Sequence, residues 1–85
     1  MHSSNSHILI IEDSPTLSLT YQAYLKPLGI TTIRAETGGD GIKALNDYKP
    51  NLVILDLKLP DMNGLDILRT IQKKHKSTKV IVITA

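Results

Sequence analysis

Apolar residues fall along the chain in short dense runs, separated by longer stretches where they recur every three or four positions. The runs are His7-Ile8-Leu9-Ile10-Ile11, Leu52-Val53-Ile54-Leu55 and Val80-Ile81-Val82-Ile83, with a further one spanning roughly Ile30 to Ala35. They are rich in β-branched residues and too short for helices, so each predicts a strand buried on both faces. The stretches between them predict helices. Ser14-Pro15 supplies an N-cap followed by proline at the first helical position, and Leu17, Tyr21, Leu25 and Leu28 keep helical spacing from there. Tyr24 reads with Tyr21 as a helix-packing residue. Pro27 distorts the last turn and Gly29 ends it. Thr37 caps a second helix with Asp40 in its first turn; Ile42, Leu45 and Tyr48 form its inner face, and Lys49-Pro50-Asn51 breaks it. Asn63 caps a third helix, with Asp66 in its first turn and Leu65, Leu68 and Ile71 as its apolar stripe. Lys73, Lys74 and Lys76 sit at its far end, where positive charge suits the helix dipole.

The resulting order is βαβαβαβ. Apolar strands joined by single helices imply a parallel sheet covered by helices on its faces, an open α/β sandwich. Residues 1–6 read as a frayed, disordered polar tail ahead of it. Length sharpens this picture: a chain of 85 residues makes one small domain. Such a domain buries only about 60–65% of its unfolded surface, so its stability margin is thin. Cysteine is absent, which excludes disulfide staples and thiolate metal sites and fits an intracellular protein. A formal charge of +2 is too small for a nucleic-acid footprint. No apolar run approaches the ~20 residues of a membrane span, and the polar start lacks the apolar region of a signal peptide. The expected location is cytoplasmic.

Chemistry enters at the strand ends. In a parallel sheet every strand's carboxyl end lies on one edge, and ligands bind in the crevice there. The first strand ends in Glu12-Asp13 and the third in Asp56. If those strands are neighbours, three carboxylates crowd one pocket. Two unit charges ~5 Å apart at an effective dielectric of ~20 repel by roughly 3 kcal/mol, so such a cluster either holds protons or binds a hard cation. Oxygen ligands without His or Cys favour Mg²⁺ over zinc or copper. An aspartate there can act as nucleophile and form an acyl phosphate, and Thr84, at the end of the fourth strand, can donate to a phosphoryl oxygen. The bland reading has acidic residues that merely open solvated loops, with Ser14 capping a helix.

Three segments carry a family resemblance: Ile8-Leu9-Ile10-Ile11-Glu12-Asp13-Ser14, Leu52 through Gly64, and Val80-Ile81-Val82-Ile83-Thr84-Ala85. In this order and spacing the chain after Ser6 resembles the receiver domain of two-component response regulators. Tyr24-Leu25-Lys26-Pro27-Leu28-Gly29-Ile30 and Leu57-Lys58-Leu59-Pro60-Asp61-Met62 further resemble the NtrC-type regulators, particularly the LuxO-like branch. The resemblance implies a flavodoxin-like, CheY-like doubly wound sheet. It implies that Asp56 is the phosphoacceptor, served by a sensor histidine kinase or a histidine phosphotransfer protein. Asp13 would ligate Mg²⁺ directly, Glu12 mainly through water, and Lys58 through its backbone carbonyl. Thr84 would be the switch hydroxyl, and Pro60 and Gly64 would shape the loop over the acceptor. The role implied is that of a signalling module that modifies itself and turns over no small molecule.

The family's strand order is 2-1-3-4-5, and this chain reads only as far as the fourth strand, giving 2-1-3-4 over a partial receiver domain at residues 7–85. The fifth strand and last two helices have no counterpart, nor does the family's phosphate-pairing lysine, so slow or absent acyl phosphorylation is expected. The fourth strand would then be an exposed apolar edge, inviting self-association. No membrane contact and no direct nucleic-acid binding by this segment are expected; transcription control would belong to a longer parent. The alternative function is a phosphorylation-independent interaction domain that dimerises. Two further readings are weaker. Thr37-Gly38-Gly39-Asp40-Gly41 lacks the spacing of a nucleotide loop and reads as a glycine-rich helix start. A haloacid-dehalogenase-type phosphatase would carry a second aspartate where Lys58 stands. His75 and its neighbouring lysines read as a solvated basic helix end, and His2 with His7 makes no convincing metal pair.

Overall fold

The computed structural model describes residues 7–83. Strands β1 (His7–Ile11), β2 (Thr31–Ala35), β3 (Leu52–Asp56) and β4 (Lys79–Ile83) alternate with helices α1 (Pro15–Leu25), α2 (Gly38–Tyr48) and α3 (Gly64–Lys74). All three strand pairings are parallel, in the order β2-β1-β3-β4. The two central strands, β1 and β3, are the most deeply buried. Leu9, Ile10, Ile11, Val53 and Leu55 are fully buried, each contributing about 1.5–3 kcal/mol of transfer free energy. Side chains alternate between the sheet's faces. Leu9, Ile11, Ala35, Val53 and Leu55 share one face with Ala44 and Leu45 of α2 and with Ile67 and Ile71 of α3. α1 covers the other face and is tied to β2 by polar contacts: Gln22 Nε2 donates to Thr32 Oγ1 at 2.7 Å, and an Arg34 guanidinium N–H donates to the buried Ser18 hydroxyl at 3.3 Å. The sheet is therefore wound on both sides.

The expected caps form. Ser14, Thr37 and Asn63 accept the N–H groups of Leu17, Asp40 and Leu65 at 3.3, 3.1 and 2.9 Å. Pro27 shortens the end of α1 into a 3-10 turn at Lys26–Leu28, closed by Gly29 in the left-handed conformation. The inner faces differ from expectation in particular residues. In α1 only Ser18 is buried, while Leu17 and Tyr24 are exposed, as is Leu28 in the 3-10 turn, because the helix turns its small polar side toward β2. In α2 the buried positions are Gly38, Gly41, Ala44 and Leu45; Tyr48 lies outside. In α3 the stripe is Gly64, Ile67 and Ile71, with Leu68 flanking and Leu65 exposed. β4 is also not buried on both faces. It pairs only with β3 among the described residues, leaving Ile81 and Val82 half exposed, one on each face of the sheet.

Candidate functional site

The register places the acidic residues. Ile11 of β1 pairs with Leu55 of β3, so Glu12 and Asp56, the residues that follow them, emerge together at the carboxyl edge. The Glu12 N–H still donates to Ala35 O of β2 at 3.0 Å, holding the chain in the sheet before it turns at Asp13. One carboxylate oxygen from each of Glu12, Asp13 and Asp56 lies within 4.8 Å of the others. Glu12 and Asp56 are only 4% and 5% exposed, whereas Asp13 faces solvent. Each buried carboxylate is fixed by an amide two residues further on: Ser14 N–H donates to Glu12 Oε2 and Lys58 N–H to Asp56 Oδ1, both at 3.0 Å. Geometry of this kind holds the oxygens in place without neutralising them.

Electrostatics follow from that placement. Burial, the largest influence, raises the Glu12 carboxyl above its ordinary value. The Ser14 amide opposes the rise, and the neighbouring Asp13 and Asp56 carboxyls add to it. Among the described residues the ion pairs join Lys43 to Asp47 and Arg69 to Asp66, on exposed helix surfaces, and none reaches the cluster. Buried carboxylates without a cationic side chain fit a hard divalent cation. The donor set is all oxygen, as Mg²⁺ requires.

Beyond Asp56 the chain makes a closed loop. Lys58 and Asn63 face each other in an antiparallel bridge, and Gly64 N–H donates to Leu57 O at 3.0 Å. Gly64 is required by close approach: a Cβ there would lie 2.6 Å from Leu57 Cα and 2.7 Å from Asp56 O. Pro60 sits exposed near the loop's tip. At that tip Asp61 accepts the Gly38 and Gly39 N–H groups at 2.7 and 2.9 Å. Those amides at the start of α2 are thus satisfied by the chain's own carboxylate, which removes the remaining appeal of a nucleotide loop at Thr37–Gly41. In the sequence Asp61 stands out only as part of the Leu57–Met62 motif. A link between a loop carboxylate and a Gly-Gly helix start more than twenty residues upstream leaves no pattern in sequence.

Thr84 lies outside the described residues, as does His2. Leu57 N–H donates to Ile83 O at 3.4 Å, and Ile83 pairs with Asp56, so β4 ends beside the cluster. His75 and the lysines of α3 belong to the opposite, amino edge of the sheet, where Thr78 leads into β4.

Comparison with known proteins agrees with this geometry. The family model described as the response regulator receiver domain matches residues 8–85. The luminescence regulatory protein LuxO of Vibrio campbellii is 42% identical over 76 residues, covering 89% of this chain and 17% of LuxO. The chain therefore spans about a sixth of the length of that relative. The crystal structure of the signal receiver domain of a LuxO repressor protein from Vibrio parahaemolyticus superposes with a TM-score of 0.87 at 42% identity, covering 93% of this chain and 61% of that one. The response regulator TrrA from Thermotoga maritima, crystallised with Mg²⁺ and BeF, gives a TM-score of 0.87 at 32% identity over 94% of this chain and 70% of its own. TrrA has also been crystallised in complex with the histidine kinase ThkA. Among the described residues no helix is long and apolar enough to cross a membrane.

Proposed function

Because the chain belongs to the response regulator receiver domain family, we propose that it accepts a phosphoryl group on Asp56. The observation that carries this reading is the meeting of Glu12, Asp13 and Asp56 within 4.8 Å, two of them buried, with no cation from the protein among the described residues. Glu12, Asp13, Asp56 and the backbone carbonyl of Lys58 would hold Mg²⁺. The ion would supply charge neutralisation between an incoming phosphate and the carboxylates. The Lys58 amide engages Asp56 Oδ1, orienting the carboxylate so that one oxygen forms the new O–P bond. The P–N bond of a phosphohistidine breaks as it forms, and its electron pair leaves with the imidazole. A sensor histidine kinase or a phosphotransfer protein is the donor, a reading supported by the complex of TrrA with a histidine kinase. Thr84 would donate its hydroxyl to the bound phosphoryl group.

Phosphorylation would bias a two-state surface read by an output domain of a longer, cytoplasmic parent, and transcription control is the output suggested by likeness to LuxO. The segment turns over no small molecule in this reading. Its partners are proteins rather than nucleic acid or membrane, with a second copy of the chain able to meet the open edge of β4. Titration with Mg²⁺ and beryllofluoride, followed by fluorine NMR, tests the function. A bound fluoride signal that requires Mg²⁺ and vanishes in Asp56→Asn is expected. Its absence in the unsubstituted protein would leave the phosphorylation-independent interaction domain as the better account.

A further inference from the structure

The loop after the acceptor is anchored to a helix that the phosphoryl chemistry does not otherwise involve. At its base it is closed by the isolated Lys58–Asn63 bridge and by the Gly64 amide on Leu57 O. At its tip the Asp61 carboxylate takes both free amides of the first turn of α2, one oxygen to Gly38 N–H and the other to Gly39 N–H. The fit at the tip is close. A Cβ at Gly38 would collide with the Met62 side chain and come within 3.2 Å of Asp61 Oδ1. Met62 and Leu59 pack from the same loop against the core. α2 is itself seated firmly, with Gly41 pressed on Ile11, the residue immediately before Glu12.

α2 is thus a strut between two segments that carry oxygen ligands. Ile11 seats its first turn beside the Glu12-Asp13 end of β1, and that turn grips the loop that starts at Asp56 and Lys58. We propose that Asp61 is a positioning residue for the cation site: by clamping the loop tip to α2 it fixes where the Lys58 backbone carbonyl lies relative to Glu12, Asp13 and Asp56. A carboxylate suits the task for a physical reason. It accepts two amides at once, its charge is favoured at a helix N-terminus, and those amides hold its carboxyl below the ordinary aspartate value. The bridge and the Gly64 amide hold the loop's base, and Asp61 adds the hydrogen bonds that hold its tip, as supporting contacts around a cation site do.

The inference rests on the Mg²⁺ site proposed above, and the experiment separates the two. Mg²⁺ binding is measured by calorimetry on the unsubstituted protein and on Asp61→Ala, Asp61→Asn and Thr37→Ala. Thr37 caps the same first turn by accepting from Asp40 N–H and, through its carbonyl, Gly41 N–H, both within the helix start, so Thr37→Ala reports what loss of a cap alone does. Asp61→Ala is expected to weaken Mg²⁺ binding by at least about tenfold, the usual effect of removing an outer-shell partner. Asp61→Asn, which keeps one acceptor oxygen, is expected to fall between, and Thr37→Ala to bind like the unsubstituted protein. Amide hydrogen exchange without Mg²⁺ gives an independent readout. Lys58 N–H is expected to lose protection in Asp61→Ala and to keep it in Thr37→Ala. Equal Mg²⁺ affinity in Asp61→Ala and the unsubstituted protein, or equal losses in Asp61→Ala and Thr37→Ala, would overturn the positioning role while leaving the site intact. No Mg²⁺ binding by the unsubstituted protein would overturn both.

Discussion

Gly64 and Glu12 show how much the site asks of single residues. Gly64 opens α3 with its Cα against the backbone of Leu57 and Asp56. Backbone cannot step aside as a flexible side chain can, so Gly64→Ala is expected to cost about 1–3 kcal/mol in urea denaturation. The same change displaces Asp56, and weaker Mg²⁺ binding should accompany the lost stability. Glu12 carries the electrostatic strain. Its carboxyl is raised above 4.5, chiefly by burial, so the folded state holds that proton more tightly than the unfolded one. Its contribution to stability is whole below pH 4.5 and is lost as pH rises through the folded value. Glu12→Gln removes this dependence. The stability of the unsubstituted protein minus that of Glu12→Gln should therefore fall as pH rises above 4.5 without Mg²⁺, and a flat difference would refute the assignment. Asp61 has the opposite sign. Its carboxyl is lowered from 3.8 by the Gly38 and Gly39 amides, so its contribution is present above that pH and disappears as pH falls below it.

At the scale of elements, α2 is well started and poorly finished. Thr37 and Asp61 between them satisfy the amides of Gly38, Gly39 and Asp40, and Gly41 N–H donates to Thr37 O. At the other end the cap is Lys49, a non-glycine residue held at φ 46°, ψ 61° so that its N–H can donate to Leu45 O. A left-handed conformation costs a side-chain-bearing residue about 1–2 kcal/mol, and glycine's extra chain entropy returns about 0.5–1 of that. Lys49→Gly is thus expected to raise stability by about 0.5–1 kcal/mol, read from the denaturation midpoint at unchanged slope. α1 teaches a different lesson. Its apolar residues are at helical spacing, yet the side turned to the sheet carries Ser18 and Gln22, which bond Arg34 and Thr32 of β2. Where an edge strand brings polar residues to a helix, spacing alone does not say which face packs inward.

For the molecule as a whole, the sheet order decides what is covered. β1 and β3 are enclosed, while β4 presents Ile81 and Val82 half exposed beside an edge that pairs with no strand among the described residues. Apolar β-branched edges recruit other strands. The 85-residue polypeptide is therefore expected to self-associate with rising concentration, and Ile81→Lys to shift it toward monomer in light scattering. A monomer at every concentration would count against that surface. The thin margin of so small a domain makes each of these changes visible, since one or two kcal/mol is a large part of the total.

The chain's own pattern was enough for the alternation of strands and helices, the capping residues Ser14, Thr37 and Asn63, and the acidic endings of two strands. These are local properties: periodicity, capping chemistry and β-branched runs act over a few neighbouring residues. Sheet order was legible only through family resemblance, because nothing in a strand's own residues states which strand lies beside it. Three things were left to the tertiary structure: which side of α1 faces inward, that Ile67 rather than Leu65 enters the core, and that Asp61 closes on Gly38 and Gly39. Each depends on groups far apart in sequence, and only packing across the sheet brings such groups within reach of one another.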